Sequence, residues 1–296
     1  MTKKIKYLII LMILACQANA QNLFWFIENQ QIGFKNAAGV TVIKPRFAMA
    51  GQFTNGIAYA GTGTNQIGAR YGFINEKGNW VIQPQFDAAD DFAEGRARVL
   101  KNGKWGYINT KGKMIINPQF SLCYDFTNGF AVASKDNKTW GLIDSTGKFI
   151  MEPTYNNITN VGKDRVLAVK KTIGSPWKLI NIKNESVSEK EFSLVRDFTD
   201  GIAPARDKND KWGFINVQGD WVIEPVYTNA ASFSEGLAAV EINYANWGFI
   251  DKNNSLKIKP EFDRSALFEN GAALVEKGDE YLYINKTGNI ILRFNK

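Results

Sequence analysis

The sequence predicts an all-β fold built from tandem three-stranded antiparallel repeats of about 35 residues each. Two observations support this prediction. A motif that opens with Trp-Gly returns at nearly constant spacing, and short alternating apolar segments between polar, Gly-containing turns are typical of strands. The arrangement of the repeats favours a closed ring that resembles a β-propeller, with an open β superhelical array as the alternative.

The repeat is clearest from Trp105, where the chain reads W-G-Y-I-N-T-K-G-K-M-I-I-N-P-Q-F. Seven full units and a truncated one begin at Ile32, Tyr71, Trp105, Trp140, Trp177, Trp212, Trp247 and Tyr281. Six of the seven full units place a proline thirteen residues after the opening position, at Pro45, Pro84, Pro118, Pro153, Pro225 and Pro260. Such regularity identifies a repeat protein.

Each unit translates into a first strand, a turn and a second strand. The Trp-Gly segment alternates large and small residues, and the following polar turn ends in Gly39, Gly78, Gly112, Gly147 or Gly219. An apolar run such as Met114-Ile115-Ile116 predicts the second strand. We expect the proline to end this strand, because proline cannot donate a ladder hydrogen bond.

A connection of about ten residues then leads to an aromatic anchor, which is Phe53, Phe92, Phe126, Phe198, Phe233 or Phe268. A two-residue turn follows the anchor at Asn55-Gly56, Glu94-Gly95, Asn128-Gly129, Asp200-Gly201, Glu235-Gly236 and Asn270-Gly271. This turn begins the third predicted strand, and a polar turn returns the chain to the next Trp-Gly.

These residues resemble the WG-repeat (Trp-Gly, KWG-like) family, a bacterial group of β-repeat proteins. Lys104-Trp105-Gly106 and Lys211-Trp212-Gly213 carry the signature intact, and the resemblance covers residues 32–294. The unit at Trp177 departs most, because Lys178 replaces Gly and both the turn Gly and the Pro are missing. The resemblance implies a β-repeat architecture and a binding role, and it does not imply any enzymatic activity.

The two ends of the repeat region favour a ring. Residues 281–294 provide the first two strands of a unit, and residues 23–28 read as a lone third strand before Ile32. We expect the two segments to combine into an eighth unit that closes the ring and hides the sheet edges.

The first twenty residues read as a cleaved signal peptide, which leaves residues 21–296 as a single repeat domain. Lys3, Lys4 and Lys6 precede an apolar stretch of nine residues, and Ala18-Asn19-Ala20 provides a cleavage pattern. The apolar stretch is too short to span a bilayer, and no later run is long enough. We expect an exported protein of the periplasm, cell surface or medium. The alternative is lipidation at Cys16, although Leu14 fits a lipoprotein signal poorly.

The composition argues against several functions. The chain has no histidine, so the usual general base and the commonest metal ligand are missing. Removal of the three leader lysines lowers the formal net charge from +7 to +4, and the remaining positive charge forms no cluster of the kind that binds nucleic acid. The sequence therefore predicts a non-enzymatic protein with no cofactor, no metal and no nucleic-acid partner.

Function should lie where the repeats differ. Residues 60–70 lengthen one connection with a Gly-rich loop, and residues 171–195 form an irregular stretch around Trp177. We expect plain degeneration of that unit, with an altered binding surface as the alternative. Asp207 to Asp210 reads as a turn and not as a calcium loop, since the required Gly and distal Glu are missing. Cys123 aligns with small residues in other units, which predicts a buried, unreactive thiol.

Three functions remain after this reading. The preferred one is a binding or scaffolding module for a protein partner, with the ligand-binding residues unassigned. The second is glycan or cell-wall binding through Trp80 and Trp221, although their repeat position favours core packing. The signature residues Trp105, Trp140, Trp212 and Trp247 are expected to be core, because their position is shared among the units and a small β unit needs the roughly 150–250 Å² that a Trp side chain buries. The least favoured is a carboxylate hydrolase using Asp87, Asp90, Asp91 and Glu94, which we expect to lie on a solvated loop.

Overall fold

Every regular element that the computed structural model describes, in residues 23–63 and 67–295, is a β-strand. The strands form eight small antiparallel sheets arranged as the blades of a closed ring. The predicted all-β, propeller-like ring is confirmed. The predicted leader, with Cys16, lies outside the described residues, so signal cleavage and lipidation stay predictions.

The blades follow one another along the chain without sharing strands. Blades 1 to 3 are formed by β1 (Phe24–Glu28), β2 (Gln31–Lys35) and β3 (Thr41–Phe47); by β4 (Met49–Ala50), β5 (Ile57–Gly61), β6 (Tyr71–Asn75) and β7 (Trp80–Phe86); and by β8 (Ala88–Ala89), β9 (Arg96–Lys101), β10 (Lys104–Asn109) and β11 (Met114–Phe120). Blades 4 and 5 are formed by β12 (Leu122–Cys123), β13 (Ala131–Ser134), β14 (Trp140–Ile143) and β15 (Phe149–Tyr155); and by β16 (Asn157–Ile158), β17 (Val166–Lys170) and β18 (Trp177–Asn181).

Blades 6 to 8 complete the ring. They are formed by β19 (Leu194–Val195), β20 (Ile202–Arg206), β21 (Trp212–Asn216) and β22 (Trp221–Tyr227); by β23 (Asn229–Ala230), β24 (Ala238–Asn243), β25 (Asn246–Ile250) and β26 (Leu256–Phe262); and by β27 (Arg264–Ser265), β28 (Ala272–Lys277), β29 (Glu280–Asn285) and β30 (Ile290–Asn295).

Six of the eight described sheets have four strands, one more than the predicted unit. The additional strand is a two-residue inner strand next to the central channel. It lies within the connection of about ten residues that the sequence predicts before the anchor. The third predicted strand of each unit pairs with the Trp-Gly strand of the next unit, as β9 does with β10. The blade is therefore offset from the sequence repeat, and each unit contributes strands to two blades.

The expected eighth unit closes the ring, with β29 and β30 as its first two strands and β1 as its third, and like the other units it contributes strands to two blades. β1 pairs with β2 inside blade 1, and β30 pairs with β29 inside blade 8, so each terminal sheet is built from one end of the chain alone. Side chains join the two blades instead. The rings of Phe24 and Tyr283 lie 4.6 Å apart, and the Tyr283 hydroxyl accepts a hydrogen bond of 2.7 Å from Gln52 of blade 2.

The Trp-Gly and Pro signatures have one common cause, which is a bulge in the outer strand. Pro118 lies inside β11 and does not end it, contrary to the prediction, and the register between β10 and β11 shifts around Gly106. A Cβ added at Gly106 would lie 2.5 Å from the Ile116 carbonyl oxygen and 2.8 Å from the Pro118 nitrogen. Because the outer strand is the free edge of the blade, its proline leaves no ladder bond unmade.

The two departures from this signature fit the same explanation. In blade 5, where Lys178 replaces Gly, residues 182–193 form an irregular segment in place of an outer strand, and Phe192 packs under Trp177. In blade 8, Leu282 replaces Gly and pairs directly with Arg293 of an outer strand that contains no proline. At the second position of the repeat unit, glycine is therefore found only where the paired outer strand has a proline bulge, because only the bulge leaves no room there for a Cβ atom.

The aromatic anchors fill the space between successive blades. In five places, an aromatic ring of the Trp-Gly strand, which is the third strand of a four-stranded blade, contacts the anchor of the next blade. The ring centroids of these pairs are 4.8 or 4.9 Å apart: Phe34–Phe53, Phe73–Phe92, Tyr107–Phe126, Phe214–Phe233 and Phe249–Phe268. Such pairs add about 0.5–1.5 kcal/mol each beyond the burial of apolar area. The core of the protein is therefore a series of layers between blades.

Candidate functional site

The turns of the blades lie on two opposite faces of the ring. We call one the constant face; it holds the inner turns after each anchor and the turns between third and outer strands. The other is the variable face, formed by the turns between the second strand of each blade and the third, which is the Trp-Gly strand, at residues 29–30, 62–63 with 67–70, 102–103, 135–139, 171–176, 207–211, 244–245 and 278–279.

The constant face is built the same way in every blade. Each turn after a third strand begins with Asn or Asp, whose Oδ1 accepts backbone N–H bonds from residues two and four positions later: Asn36, Asn75, Asn109, Asp144, Asn181, Asn216, Asp251 and Asn285. The six predicted two-residue turns are confirmed, with both residues at positive φ. Because these side chains are used by the turns themselves, the constant face is architectural.

The variable face differs from blade to blade. Its turns range from two to nine residues, whereas the turns between third and outer strands have four or five. The three most exposed large apolar side chains of the described chain all lie on this face, at Ile67 (92% exposed), Ile173 (87%) and Tyr244 (94%). Large apolar side chains that project from turns in this way are candidates for contact with a partner.

The two irregular segments of the sequence reach this face in part. Residues 62–63 and 67–70 are the described part of the longest turn, and residues 171–176 form the turn of blade 5. The remainder of the second segment does not: Trp177 and Phe192 are buried, and residues 182–193 cover the outer edge of blade 5.

The four candidate carboxylates do not converge on one pocket. Asp87 accepts a 2.9 Å bond from the Asn102 N–H on the variable face, and Glu94 accepts bonds from the Asn128 and Gly129 N–H groups on the constant face. Asp90 pairs with an arginine. Three of the four candidate carboxylates thus hold turns or blades in place, and the structure does not bring all four together.

Asp91 is the exception, and the expectation of a solvated loop is wrong for it. Its half-buried carboxyl lies beside the central channel, where burial raises its pKa to about 7. The negative charges of Asp90, Glu269 and Asp125 raise the pKa further, and a hydrogen bond from the Gln52 backbone N–H opposes them. The charge of this carboxyl therefore changes near neutral pH.

The tryptophans pack mainly against other aromatic and cationic side chains. Trp80 and Trp221 meet Phe47 and Phe192 of the preceding blade edge to face, with centroids 5.8 and 5.7 Å apart. Among the signature residues, Trp212 is buried, and Trp105, Trp140 and Trp247 are half-buried. These contacts agree with the preferred core role and leave no flat row of exposed indole rings.

The central channel contains a cavity of about 530 Å³ to which five blades contribute. Its lining includes Tyr124, Thr159, Trp177, Leu194, Arg196 and Leu267. Leu194 and Trp177 are the first residues of their strands, which begin at the variable face. These two residues mark the variable-face end of the cavity, whereas its lining in blades 4, 7 and 8 follows the inner strands towards the constant face. Most of the lining comes from the two residues before the anchor in blades 4 to 8, and sequence comparison missed the cavity because the residue types at these positions vary from unit to unit.

The remaining predicted features are as follows. Asp207 begins a turn and accepts bonds from the Asn209 and Lys211 N–H groups, as expected. Cys123 is free and buried, and burial raises its pKa to about 12, so its thiol stays protonated. Within residues 23–63 and 67–295 there is no metal-binding cluster of His, Cys, Asp or Glu and no helix with the length and apolar content to cross a bilayer.

Comparison with known proteins identifies the repeat and the fold. The model of the WG containing repeat matches seven times, at residues 32–61, 71–105, 105–138, 140–171, 179–212, 212–244 and 247–281. No curated protein matches the sequence.

Among solved structures, three similar ones are a eukaryotic initiation factor, the computationally designed Ika8 protein and BamB from Moraxella catarrhalis. The initiation factor has a TM-score of 0.57 at 11% identity, covering 93% of this chain and 85% of that one. Ika8 has a TM-score of 0.52 at 11% identity, with 94% and 97% covered. BamB has a TM-score of 0.52 at 9% identity, with 92% and 91% covered. At these identities the likeness concerns the fold alone.

Proposed function

We propose a function in protein binding for this chain, which belongs to the family of WG containing repeat proteins. In this proposal the ring is an exported, non-enzymatic scaffold that holds a protein partner on its variable face. The observation that carries the proposal is the contrast between the faces. Turns of one face are fixed by the same Asn or Asp in all eight blades, whereas turns of the other range from two to nine residues.

A rigid ring with one varied face suits partner recognition. Ile67, Ile173 and Tyr244 stand on blades 2, 5 and 7, so a partner that touches all three has to span the ring. Interfaces of stable complexes bury about 800 Å² per partner and centre on a few large side chains. The proposal of export rests on the sequence of the first twenty residues. Mass spectrometry of the natural protein tests it: a chain that keeps its whole leader contradicts export, whereas a lipid at Cys16 contradicts only the cleavage after Ala20.

Glycan binding is not favoured by any contact in the ring. Trp80 and Trp221 use their faces and edges against phenylalanine rings of the neighbouring blade. Stacking of a sugar would require these rings to leave that packing. An enzymatic function is not favoured either, because the candidate carboxylates are spread over both faces and the channel.

Affinity capture from envelope extract tests the proposal. The chain is immobilised as residues 21–296 and compared with a triple variant, Ile67→Ser, Ile173→Ser and Tyr244→Ser. The matched control replaces three exposed apolar residues next to the constant face, Val40→Ser, Leu256→Ser and Ile290→Ser, which are 59%, 49% and 47% exposed.

We expect a protein partner in stoichiometric amount with the unchanged chain and with the control, and at least tenfold less with the variable-face variant. A partner that is lost only with the control would place binding on the constant face. Recovery of glycan without protein would contradict the proposal, and Trp80 and Trp221 would then be the residues to replace.

A further inference from the structure

Two arginines occupy equivalent places in the ring, although they come from different strands. Arg98 belongs to β9 of blade 3, and Arg196 follows β19 at the inner edge of blade 6. Each guanidinium lies over the signature tryptophan of its own blade, at 5.3 Å from the Trp105 centroid and 4.4 Å from the Trp212 centroid. Both arginines thus lie at the seam between their blade and the next.

Each guanidinium also bonds to the next blade at the same point. The Arg98 Nη1 donates to the Cys123 carbonyl at 2.7 Å, and the Arg196 Nη1 donates to the Ala230 carbonyl at 2.7 Å. Cys123 and Ala230 are the second residues of the inner strands of blades 4 and 7. The two sites therefore share an indole face and a carbonyl acceptor, which allows a direct comparison.

The comparison shows a difference in charge. Arg98 is neutralised by two carboxylates, since its guanidinium pairs with Asp90 and its Nε lies 3.2 Å from Asp125. Ser232 stands where Asp125 stands, directly before the anchor of the next blade. Arg196 itself forms no ion pair with any carboxylate of the described residues, and its second bond goes to the neutral Asn229 Oδ1 at 3.0 Å.

An unneutralised cation in a half-buried position is costly for a protein. Burial lowers the pKa of Arg196, with no negative charge to raise it again. Only two of its five N–H groups are used in the hydrogen bonds above, and the side chain lines the central cavity beside Tyr124 and Leu267. The Asp197 carboxylate lines the same cavity, but its two oxygens accept bonds from Asn160 and it forms no ion pair with Arg196. These are the features of a site that is completed by an anion.

We propose that Arg196 and the cavity beside it bind a carboxylate, which an acidic side chain of the protein partner inserts into the central channel. This inference rests on the proposed function, because the cavity reaches the variable-face ends of blades 5 and 6. The turns of blades 4 and 5 add Lys135, Lys138 and Lys171, none of which pairs with a described carboxylate. Their positive charge steers an acidic segment towards this sector of the ring.

Calorimetric titration with short peptides tests the proposal. The probes are an acetylated, amidated Gly-Glu-Gly-Glu-Gly peptide, its Gln counterpart, and free glutarate. Arg196→Gln removes the cation, and Ser232→Asp installs inside the protein the carboxylate that Asp125 provides to Arg98. Lys208→Gln, on the variable face of blade 6, is the control for loss of one positive charge.

We expect the acidic peptide to bind at least tenfold more tightly than its Gln counterpart, because hydrogen bonds between charged groups are about twice as strong as neutral ones. Arg196→Gln and Ser232→Asp should each weaken binding tenfold or more, and Lys208→Gln less than twofold. Ser232→Asp also keeps the test valid if Arg196→Gln does not fold.

Three results would overturn the proposal. The first is that the acidic peptide and its Gln counterpart bind equally well, and the second is that Ser232→Asp binds the acidic peptide as tightly as the unchanged chain does. The third is that glutarate binds and the acidic peptide does not, which would assign the site to a free small carboxylate. The proposed function fails separately. If envelope capture is unchanged in Arg196→Gln and lost in the triple variant of the variable face, the carboxylate site is wrong and the scaffold function stands.

Discussion

Replacement of Gly106 by alanine should destabilise the protein by about 2–3 kcal/mol, in the upper part of the range for overpacked interiors. The added methyl would lie 2.5 Å from the Ile116 carbonyl oxygen and 2.8 Å from the Pro118 nitrogen. Both atoms belong to the backbone, so no side chain can rotate away to relieve the contact. The outer strand of blade 3 would have to move or release its pairing with β10.

The same repeat position offers an internal control. Lys178 of blade 5 stands where the other units have Gly, is exposed, and pairs only with the exposed Glu191 on the surface. Lys178→Ala should therefore change the free energy of unfolding by less than about 1 kcal/mol. Urea unfolding followed by circular dichroism measures both variants. Values for Gly106→Ala and Lys178→Ala within about 0.5 kcal/mol of each other would refute the proposed link between glycine and the proline bulge.

Three further predictions concern the channel, the turns and the closure of the ring. Because burial raises the pKa of Asp91, the folded chain holds a proton that the unfolded chain releases, and stability should fall as pH rises from about 4 to about 7. Melting temperatures measured across this range should fall less steeply for Asp91→Asn. An unchanged slope would contradict the raised pKa of Asp91. Asn109→Ala removes the acceptor of two N–H bonds and should lower the free energy of unfolding by about 1 kcal/mol, as measured by urea unfolding. Asn109→Asp introduces the residue that has the same role at position 144, and its free energy of unfolding should stay within about 0.5 kcal/mol of that of the unchanged chain. Tyr283→Ala removes the contact with Phe24 and the hydrogen bond from Gln52, and it should lower the free energy of unfolding by about 3–5 kcal/mol. Hydrogen exchange should rise first in blades 1 and 8, and a uniform rise in all blades would contradict this prediction.

The repeat, its turns and the closed ring could be predicted from the sequence because they depend on spacing. A proline thirteen residues after each Trp-Gly and a two-residue turn after each anchor are local signals, and the structure confirms the turns. The bulge was missed because the pattern shows the proline without showing what lies opposite it. Gly106 and Pro118 are twelve residues apart, and only the pairing of β10 with β11 brings them together.

The inner strands and the central cavity could not be predicted. An inner strand such as Leu122–Cys123 has two residues, too few to show any alternation. The likeness between Arg98 and Arg196 is invisible when the repeats are aligned, because one side chain comes from a second strand and the other from the loop after an inner strand. Long side chains that reach one place from two backbone positions leave no common sequence pattern.

The seam between blades 1 and 8 has a consequence for the connectivity of the molecule. No described strand crosses it, since Phe24–Glu28 and Ile290–Asn295 each pair only within their own sheet. A circular permutant could therefore join residue 295 to residue 23 through a linker of the length that leads from Phe120 to Ala131, and begin instead in the long turn after Gly61. Because the cut and the join both fall outside the strands, the permuted chain should fold to the same ring, with chain termini on the variable face.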